Sequence, residues 1–162
     1  MIKLKLRVGI GFDSHPFAKK RKLILGGVDI PYSRGLSGHS DADVLCHSIA
    51  DALLGASGLK DIGNYFPDTD PKYKNISSLK ILAQVNKKIK VKGYAVVNVD
   101  TILICQKPKI NPYIDRIKNS LAKVLKISLD CIGIKAKTTE ALSFTTIKSG
   151  IACYAVVLLI KR

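Results

Sequence analysis

The chain has 162 residues, of which 47% are hydrophobic and 24% are charged, so it can fold as one domain and is too apolar for a disordered chain. The longest apolar run, residues 151–160, is too short for a transmembrane helix and is typical of a central strand buried on both faces. The N-terminus alternates basic with apolar residues and lacks the continuous apolar core of a signal peptide. We therefore expect a cytoplasmic protein whose single domain covers residues 1–162.

The net charge and the cysteines limit the class of function. A charge of +15 is explained by solvated lysines, and it is equally compatible with a field that attracts an anionic substrate such as a polyphosphate. A nucleic-acid module is disfavoured because no basic tract is interleaved with aromatic residues, which make up only 6% of the chain. The four cysteines lie far apart in apolar runs without a C-x-x-C pair, which predicts buried thiols in a reducing compartment.

The stretch over residues 8–17 reads VGIGFDSHPF and begins like a buried β-strand, which ends in Asp13 and His15 before a proline closes it. Asp13 and His15, two positions apart, face the same side of an extended chain and can converge on one cation. A turn could equally use Asp13 as a local hydrogen-bond acceptor and leave His15 in water. A metal site needs at least one further ligand, so this pattern alone leaves the choice open.

A hairpin and a helix follow this strand. Residues 23–30 form two short extended runs joined by a Gly-Gly pair, which predicts a β-hairpin. Apolar residues recur at helical spacing from about residue 41 to 56, and Ser40 three positions before Asp43 resembles a capping arrangement. His47 would lie on the second turn of this helix among apolar neighbours, where a packed core histidine is more common than a ligand.

The distribution of histidines changes that balance. The chain has only three, His15, His39 and His47, and all lie in or beside these two segments. Asp13, His15 and His47 would supply three protein ligands and leave one tetrahedral position for substrate or water, as in a catalytic zinc site. The carboxylates that could accept the second ring N–H of these imidazoles are Asp41, Asp43 and Asp51. For Asp41, a favourable interaction with the helix dipole at the N-terminus of the helix is the better interpretation.

The remaining elements complete the predicted fold. Helical spacing predicts helices over about residues 77–90 and 113–126, and strand-like runs cover residues 94–104, 132–137 and 151–160. Strands that alternate with helices in this way predict an α+β fold, an α/β sandwich in which helices cover one face of a mixed sheet.

Two connecting segments carry polar groups. Residues 61–71 place three acids and two prolines in a rigid loop, more than a connector requires, although D-T-D-P is also an ordinary turn signature. The strand at 132–137 is followed by Thr138, Thr139 and Glu140, which could hold phosphate oxygens and a divalent cation. Alternatively, these residues only begin a turn or a short helix.

Seven segments, taken in order, resemble the 2-C-methyl-D-erythritol 2,4-cyclodiphosphate synthase family of the non-mevalonate isoprenoid pathway. They read GFDSHPF, LILGGVDIPY, GLSGHSDADVLCHSIADALLGA, DIGNYFPDTDP, NVDTILICQKPKI, KAKTTEALSF and GIACYAVVLL. The resemblance implies an α/β subunit that assembles into a homotrimer, with sheets packed around the three-fold axis and each active site between neighbouring subunits. It also implies a phosphorus–oxygen lyase reaction. The 2-phosphate of 4-diphosphocytidyl-2-C-methyl-D-erythritol 2-phosphate attacks the β-phosphate, which forms 2-C-methyl-D-erythritol 2,4-cyclodiphosphate and releases CMP.

The resemblance also implies site residues. Zn²⁺ would be bound by Asp13, His15 and His47, and Mg²⁺ or Mn²⁺ by Glu140 with the substrate phosphates. His39 and Thr138 would stabilise the transition state. The residues expected to bind the methylerythritol phosphate part are Asp13, Ser14, His15, His39, Ser40, Asp61, Ile62, Gly63, Phe66, Pro67, Asp68, Thr69, Asp70 and Phe144. Those expected to bind the nucleotide are Cys105, Gln106, Lys107, Pro108, Lys109, Ile110, Asn111, Ala136, Lys137, Thr138 and Thr139.

One segment departs from the family. Where many members have a glycine, an arginine and an acid, this chain has Thr146, Ile147 and Lys148. In the family that arginine helps to line a cavity on the trimer axis that can hold isoprenoid diphosphates, so Ile147 counts against the same role here. Lys148 could substitute by charge but not as a bidentate fork.

Two other function classes stay open on the residues alone. A metallophosphatase would use the same three ligands with a second metal or a general base, and would release inorganic phosphate. A basic nucleic-acid module would bind a duplex in a salt-sensitive manner and would not need Asp13, His15 and His47.

Overall fold

The computed structural model describes residues 5–138 and 150–162. Within them, a five-stranded mixed sheet forms the centre of the molecule and a separate two-stranded hairpin lies beside it. The sheet contains, in spatial order, β4 (Gly35–Leu36), β1 (Leu6–Ala18), β7 (Gly150–Lys161), β5 (Tyr94–Ile104) and β6 (Ile132–Lys137). Neighbouring strands are antiparallel except for the parallel pair β5 and β6. The hairpin consists of β2 (Leu23–Leu25) and β3 (Val28–Ile30), as predicted. The two-residue strand β4 was not predicted.

Helices pack against one face of this sheet, which confirms the predicted α+β architecture. They are α1 (Val44–Ala56), the short α2 (Ile62–Tyr65), α3 (Ser78–Val91) and α4 (Ile114–Leu125). Single 3₁₀ turns lie at Pro71–Tyr73, Asn111–Tyr113 and Leu129–Cys131. In the part of the chain that the structure describes, no helix is both long enough and apolar enough to cross a membrane. The segment 61–71, which was predicted as a loop, contains the short helix α2.

The start of α1 corrects one prediction. The residue that caps α1 is Asp43 and not Ser40, because the Asp43 carboxylate accepts the backbone N–H of Cys46 at 3.1 Å. The same carboxylate accepts the N–H groups of Gly26 and Gly27 at 2.9 and 2.7 Å, so it also ties the hairpin to the helix. The helix begins at Val44, three residues later than its apolar spacing indicates.

The contact between β1 and α1 is a contact between backbones. A Cβ atom on Gly11 would lie 1.9 Å from the carbonyl oxygen of Ser48, and one on Gly9 would lie 2.1 Å from that of Ala52. Only glycine allows the strand and the helix to approach so closely. This close packing fixes the end of β1 relative to the second turn of α1.

The other face of the sheet is apolar and uncovered in the single chain. Val8 and Ile10 of β1 are each 69% exposed, and Phe12, Tyr154 and Val156 are also exposed. The prediction that residues 151–160 are buried on both faces is therefore wrong for the isolated subunit. The prediction of buried free thiols is confirmed for Cys46, Cys105 and Cys153, whereas Cys131 is only partly buried. A contiguous apolar face that is left uncovered is typical of a subunit interface.

Candidate active site

Asp13 and His15 of β1 meet His47 of α1 at the end of the sheet. Asp13 Oδ2 lies 3.0 Å from His15 Nε2 and 3.0 Å from His47 Nδ1, and the two nitrogens are 3.4 Å apart. A tetrahedral Zn²⁺ with bonds of about 2.0–2.1 Å holds its ligands roughly 3.3 Å from one another. The three atoms therefore match three corners of one coordination tetrahedron. As predicted, these residues could hold a metal ion.

Each oxygen of the Asp13 carboxylate has its own partner, and the course of the backbone explains why. β1 continues through this region to Ala18, so no turn forms at residues 13–15, and the side chains of Asp13 and His15 share one face. Asp13 Oδ1 accepts the N–H of Ser14 at 2.8 Å, which leaves Oδ2 to face the imidazoles. The local acceptor role and the ligand role are thus divided between the two oxygens of one carboxylate.

The charges of Asp13 and the two histidines shift their pKa values, and the resulting ionisation of Asp13 suits a metal ligand. Burial acts to raise the pKa of Asp13, but hydrogen bonds with His15 and His47 and their charges outweigh it and lower this pKa far below its usual range. Burial acts to lower the pKa of His47, and the hydrogen bond and charge of Asp13 reverse the direction and raise it. The carboxylate is therefore ionised at neutral pH, as a metal ligand must be.

Among the residues that the structure describes, hydroxyl groups and not carboxylates contact the second nitrogen of His47. Its Nε2 lies 2.8 Å from Ser78 Oγ and 3.2 Å from Ser40 Oγ. Asp43 serves as the cap described above, and Asp51 accepts the backbone N–H of Ile62 at 2.7 Å. The prediction that a carboxylate accepts this ring N–H directly is therefore wrong. Ser78 was not singled out in the sequence because it lies in the first turn of a predicted helix, where serine is common.

A cavity of about 250 Å³ opens beside the three ligands. The predicted substrate residues that line it are Asp13, His15, His39, Ser40, Ile62, Gly63, Phe66 and Asp68. The other lining residues are the predicted metal ligand His47 and three residues that were not predicted to bind substrate or metal, namely Asp51, Tyr73 and Ile81. The cavity thus combines the candidate metal centre with the segment 61–71 that carries excess polar groups.

Other predicted substrate residues lie outside this lining. Ser14 alternates with its neighbours on β1 and faces the uncovered side of the sheet. Asp61 caps α2 by accepting the backbone N–H of Asn64 at 3.1 Å, and its bonds to Asn64 lower the pKa of Asp61. Asp70 pairs with Lys72, and its carbonyl oxygen lies 3.3 Å from His39 Nε2. Pro67 and Thr69 are likewise not among the lining residues, and Phe144 lies outside the described residues.

A second cavity of about 250 Å³ gathers the predicted nucleotide-binding residues at the ends of β5 and β6. Its lining is Cys105, Gln106, Pro108, Lys109, Ile110, Asn111, Ala136, Lys137 and Thr138. The carbonyl of Lys107 lies 3.1 Å from Cys105 Sγ, which donates to it. Burial raises the pKa of Cys105 to about 11, so its thiol stays protonated and is not a nucleophile. Thr139 and Glu140 lie outside the described residues.

The strand register places the two cavities at the same end of the sheet. Asp13 is paired with Cys153, Cys153 with Leu103, and Leu103 with Ala136. Three steps between adjacent strands correspond to about 14 Å. Within one chain, the candidate metal centre and the second cavity therefore lie three strands apart at the same end of the sheet.

The comparison with known protein families decides the classification. The family described as the YgbB family matches residues 6–160. The chain belongs to the YgbB family. The residues that line the two cavities all lie within this match.

Named relatives agree with this YgbB-family assignment. The chain is 59% identical to the 2-C-methyl-D-erythritol 2,4-cyclodiphosphate synthase of Clostridium acetobutylicum over 155 residues, which cover 96% of this chain and 100% of that protein. A structure of 2C-methyl-D-erythritol-2,4-cyclodiphosphate synthase in a CDP-bound form has a TM-score of 0.87 and 37% identity, and covers 94% of this chain and 99% of its own.

A longer relative shares the same fold. The bifunctional IspDF of Campylobacter jejuni has a TM-score of 0.93 and 40% identity, and the match covers 99% of this YgbB-family chain but only 43% of the bifunctional one. This chain therefore corresponds to less than half of that protein. Together these structures confirm the predicted fold class.

Proposed function

We propose that this chain, as a single domain over residues 1–162, converts 4-diphosphocytidyl-2-C-methyl-D-erythritol 2-phosphate into 2-C-methyl-D-erythritol 2,4-cyclodiphosphate and CMP. The observation that carries this proposal is the Asp13, His15 and His47 cluster beside a cavity, in a chain 59% identical to a synthase of that name. The four cysteines of this chain are free thiols, which suits the reducing cytoplasm, and we place the reaction there.

The chemistry needs no side-chain nucleophile because the substrate supplies its own. An oxygen of the 2-phosphate forms a bond to the β-phosphorus, the bond from that phosphorus to the α-phosphate oxygen breaks, and CMP leaves with the electron pair. A bound Zn²⁺ would polarise the β-phosphate and neutralise charge that develops on it. The chain positions the reacting groups, which is the main source of catalysis in phosphoryl transfer. His39, which lines the cavity with the ligands, and Thr138 of the second cavity would stabilise the transition state.

The substrate would occupy both cavities described above. The first would bind the methylerythritol phosphate part, and the second would bind cytidine and its phosphates, with Lys109 near the phosphates and cytosine read largely by backbone groups. We propose that the chain forms a homotrimer around the uncovered apolar face of the sheet, and that each active site joins the first cavity of one subunit to the second cavity of its neighbour. The large exposure of Val8 and Ile10 supports an interface on this face.

A charge on the uncovered face should prevent assembly. Ile10→Glu would bring several carboxylates into a dry interface, so we expect monomers and a loss of activity of at least about a hundredfold. Light scattering after size-exclusion chromatography measures the mass. The matched control is Val91→Glu, because Val91 is 81% exposed at the end of α3. A trimer of full activity for Ile10→Glu would contradict the proposed interface.

Glu140, the only glutamate of the chain, is proposed to bind Mg²⁺ or Mn²⁺ together with the substrate phosphates. Glu140→Ala should therefore lower activity about a hundredfold at ordinary magnesium, with partial recovery at excess magnesium, because substrate phosphates retain weak affinity for the ion. Activity is measured as CMP release over a magnesium titration. Asp115→Ala, which removes an exposed acid on α4, is the control. An unchanged magnesium dependence would rule out this role of Glu140.

Incubation of the zinc-loaded protein with the diphosphocytidyl substrate tests the reaction itself. The proposal predicts one CMP and one cyclic diphosphate per substrate, detected by ³¹P NMR and chromatography. Release of inorganic phosphate without a cyclic product would instead indicate a metallophosphatase. Absence of any turnover by the intact, metal-loaded trimer would refute both.

A further inference from the structure

The ring of His47 has one nitrogen for the metal and one for the protein. Its Nδ1 faces Asp13 and His15, so Nε2 is the nitrogen that remains for another contact. A neutral imidazole that ligates through Nδ1 carries its proton on Nε2 and donates it. The acceptor at 2.8 Å is Ser78 Oγ.

The direction of the next hydrogen bond follows from the number of protons. Ser78 Oγ has a single proton and is hydrogen-bonded to Asp41 Oδ1, which as a carboxylate oxygen can only accept. Ser78 therefore accepts from His47 and donates to Asp41. Asp41 is held in place by the backbone N–H of Ser78 at 3.0 Å and by that of Asp43 at 3.3 Å. Ser78 is 0% exposed, so water does not compete for this hydroxyl.

Ser40 is the other hydroxyl within reach, but its surroundings differ. It lies 3.2 Å from His47 Nε2, lines the cavity and accepts the N–H of Ala42 at 3.1 Å. Its other polar neighbour is Ser78 Oγ at 3.4 Å, and none of its hydrogen bonds is to a carboxylate among the described residues. Because the single proton of Ser78 goes to Asp41, Ser40 can only act as donor in its contact with Ser78. The closer, carboxylate-backed acceptor of the His47 proton is therefore Ser78.

We propose that Ser78, backed by Asp41, is a positioning residue that fixes the tautomer and the ring orientation of His47 toward the metal. The chain of bonds runs from His47 Nε2 to Ser78 Oγ to Asp41 Oδ1. Outer hydrogen bonds of this kind raise ligand basicity, and their loss typically weakens metal binding about 10–100-fold. The inference rests on the proposed zinc site but not on the identity of the substrate.

A purely structural role would be capping of α3. The N-cap Ser77 makes no side-chain hydrogen bond, and the backbone N–H of Ser78 donates to Asp41 instead. Ser78→Ala keeps that backbone bond and removes only the hydroxyl. The substitution therefore separates a role in capping from a role toward His47.

The test is zinc affinity, measured by competition with a chromogenic chelator on the assembled protein. We expect Ser78→Ala to bind Zn²⁺ about 10–100-fold more weakly than the wild type and to change the visible absorption of the cobalt-substituted site. Ser78→Thr retains a hydroxyl and should restore most of the affinity. Ser77→Ala, at the same helix start, should match the wild type.

Two results would overturn the inference. One is wild-type zinc affinity and an unchanged cobalt spectrum for Ser78→Ala, whatever its thermal stability. The other is a Ser78→Thr protein as weak as Ser78→Ala. If Ser78→Ala does not assemble, Asp41→Asn, which keeps the size of the side chain but removes the charge that backs Ser78, is measured with the same criteria. Zinc binding by the wild type without any cyclic product would refute the proposed function and leave this inference standing.

Discussion

Replacement of His47 by alanine is expected to abolish zinc binding at the candidate centre and to lower CMP release at least about a thousandfold. His47 Nδ1 is one of three ligand atoms that lie 3.0–3.4 Å apart, and two remaining ligands cannot hold zinc tightly. Loss of the metal removes several kcal/mol of transition-state stabilisation, and about 4 kcal/mol corresponds to a thousandfold in rate. Zinc content is measured by elemental analysis, and turnover by CMP release.

The matched control for this substitution lies on the next residue of α1. Ser48 is buried, and its hydroxyl donates to the carbonyl of Leu45 at 3.0 Å within the same helix. Ser48→Ala should therefore retain zinc and most of the activity. Both variants should assemble as the wild type does, because neither residue lies on the uncovered face of the sheet. Full zinc content in His47→Ala would refute the assignment of this ligand.

The sequence predicted the pair Asp13 and His15 because strand alternation is a local rule. A two-residue period places both side chains on one face, and β1 continues through both positions. His47 could be added only by counting, since the chain has three histidines and two sequence segments that contain them. Its contact with Asp13 depends on how α1 packs on β1, which periodicity does not specify.

The hydrogen bonds around His47 could not be predicted for the same reason. Ser78 and Asp41 are 37 residues apart in the chain, and both are common residue types at helix starts. Local patterns accordingly indicated a cap at Ser40 and a dipole role for Asp41. The structure instead uses Asp43 as the cap of α1 and Asp41 as the acceptor for Ser78.

The uncovered face shows a different limit of sequence reasoning. A strand that is apolar on both faces reads the same whether its second face is covered by its own chain or by another subunit. Tyr154 and Val156 are exposed in the single chain although the run 151–160 is apolar throughout. Burial predicted from composition therefore does not tell which chain, its own or another, would cover the second face of a strand.

Replacement of Gly11 by alanine is expected to affect both stability and the metal site. Its Cβ would lie 1.9 Å from the carbonyl oxygen of Ser48 and 2.7 Å from the backbone nitrogen of Ala52. An ordinary contact requires about 3.5 Å, so β1 and α1 would have to separate by well over an ångström. We expect the free energy of unfolding to fall by about 3 kcal/mol or more, and the melting temperature by roughly 10 °C.

The same displacement would move His47 away from Asp13, because Gly11 lies two residues before the carboxylate and Ser48 lies one residue after the imidazole. Zinc affinity should therefore fall together with stability. Gly55→Ala is the matched control on the same helix, since no atom beyond its chain neighbours and the adjacent helix backbone lies within 4 Å of the position that its Cβ would take. This variant should stabilise the protein by about 0.5–1 kcal/mol. Calorimetry and zinc titration of the two variants measure both effects. A Gly11→Ala protein with wild-type melting and zinc affinity would show that the backbone contact does not set the geometry of the ligand cluster.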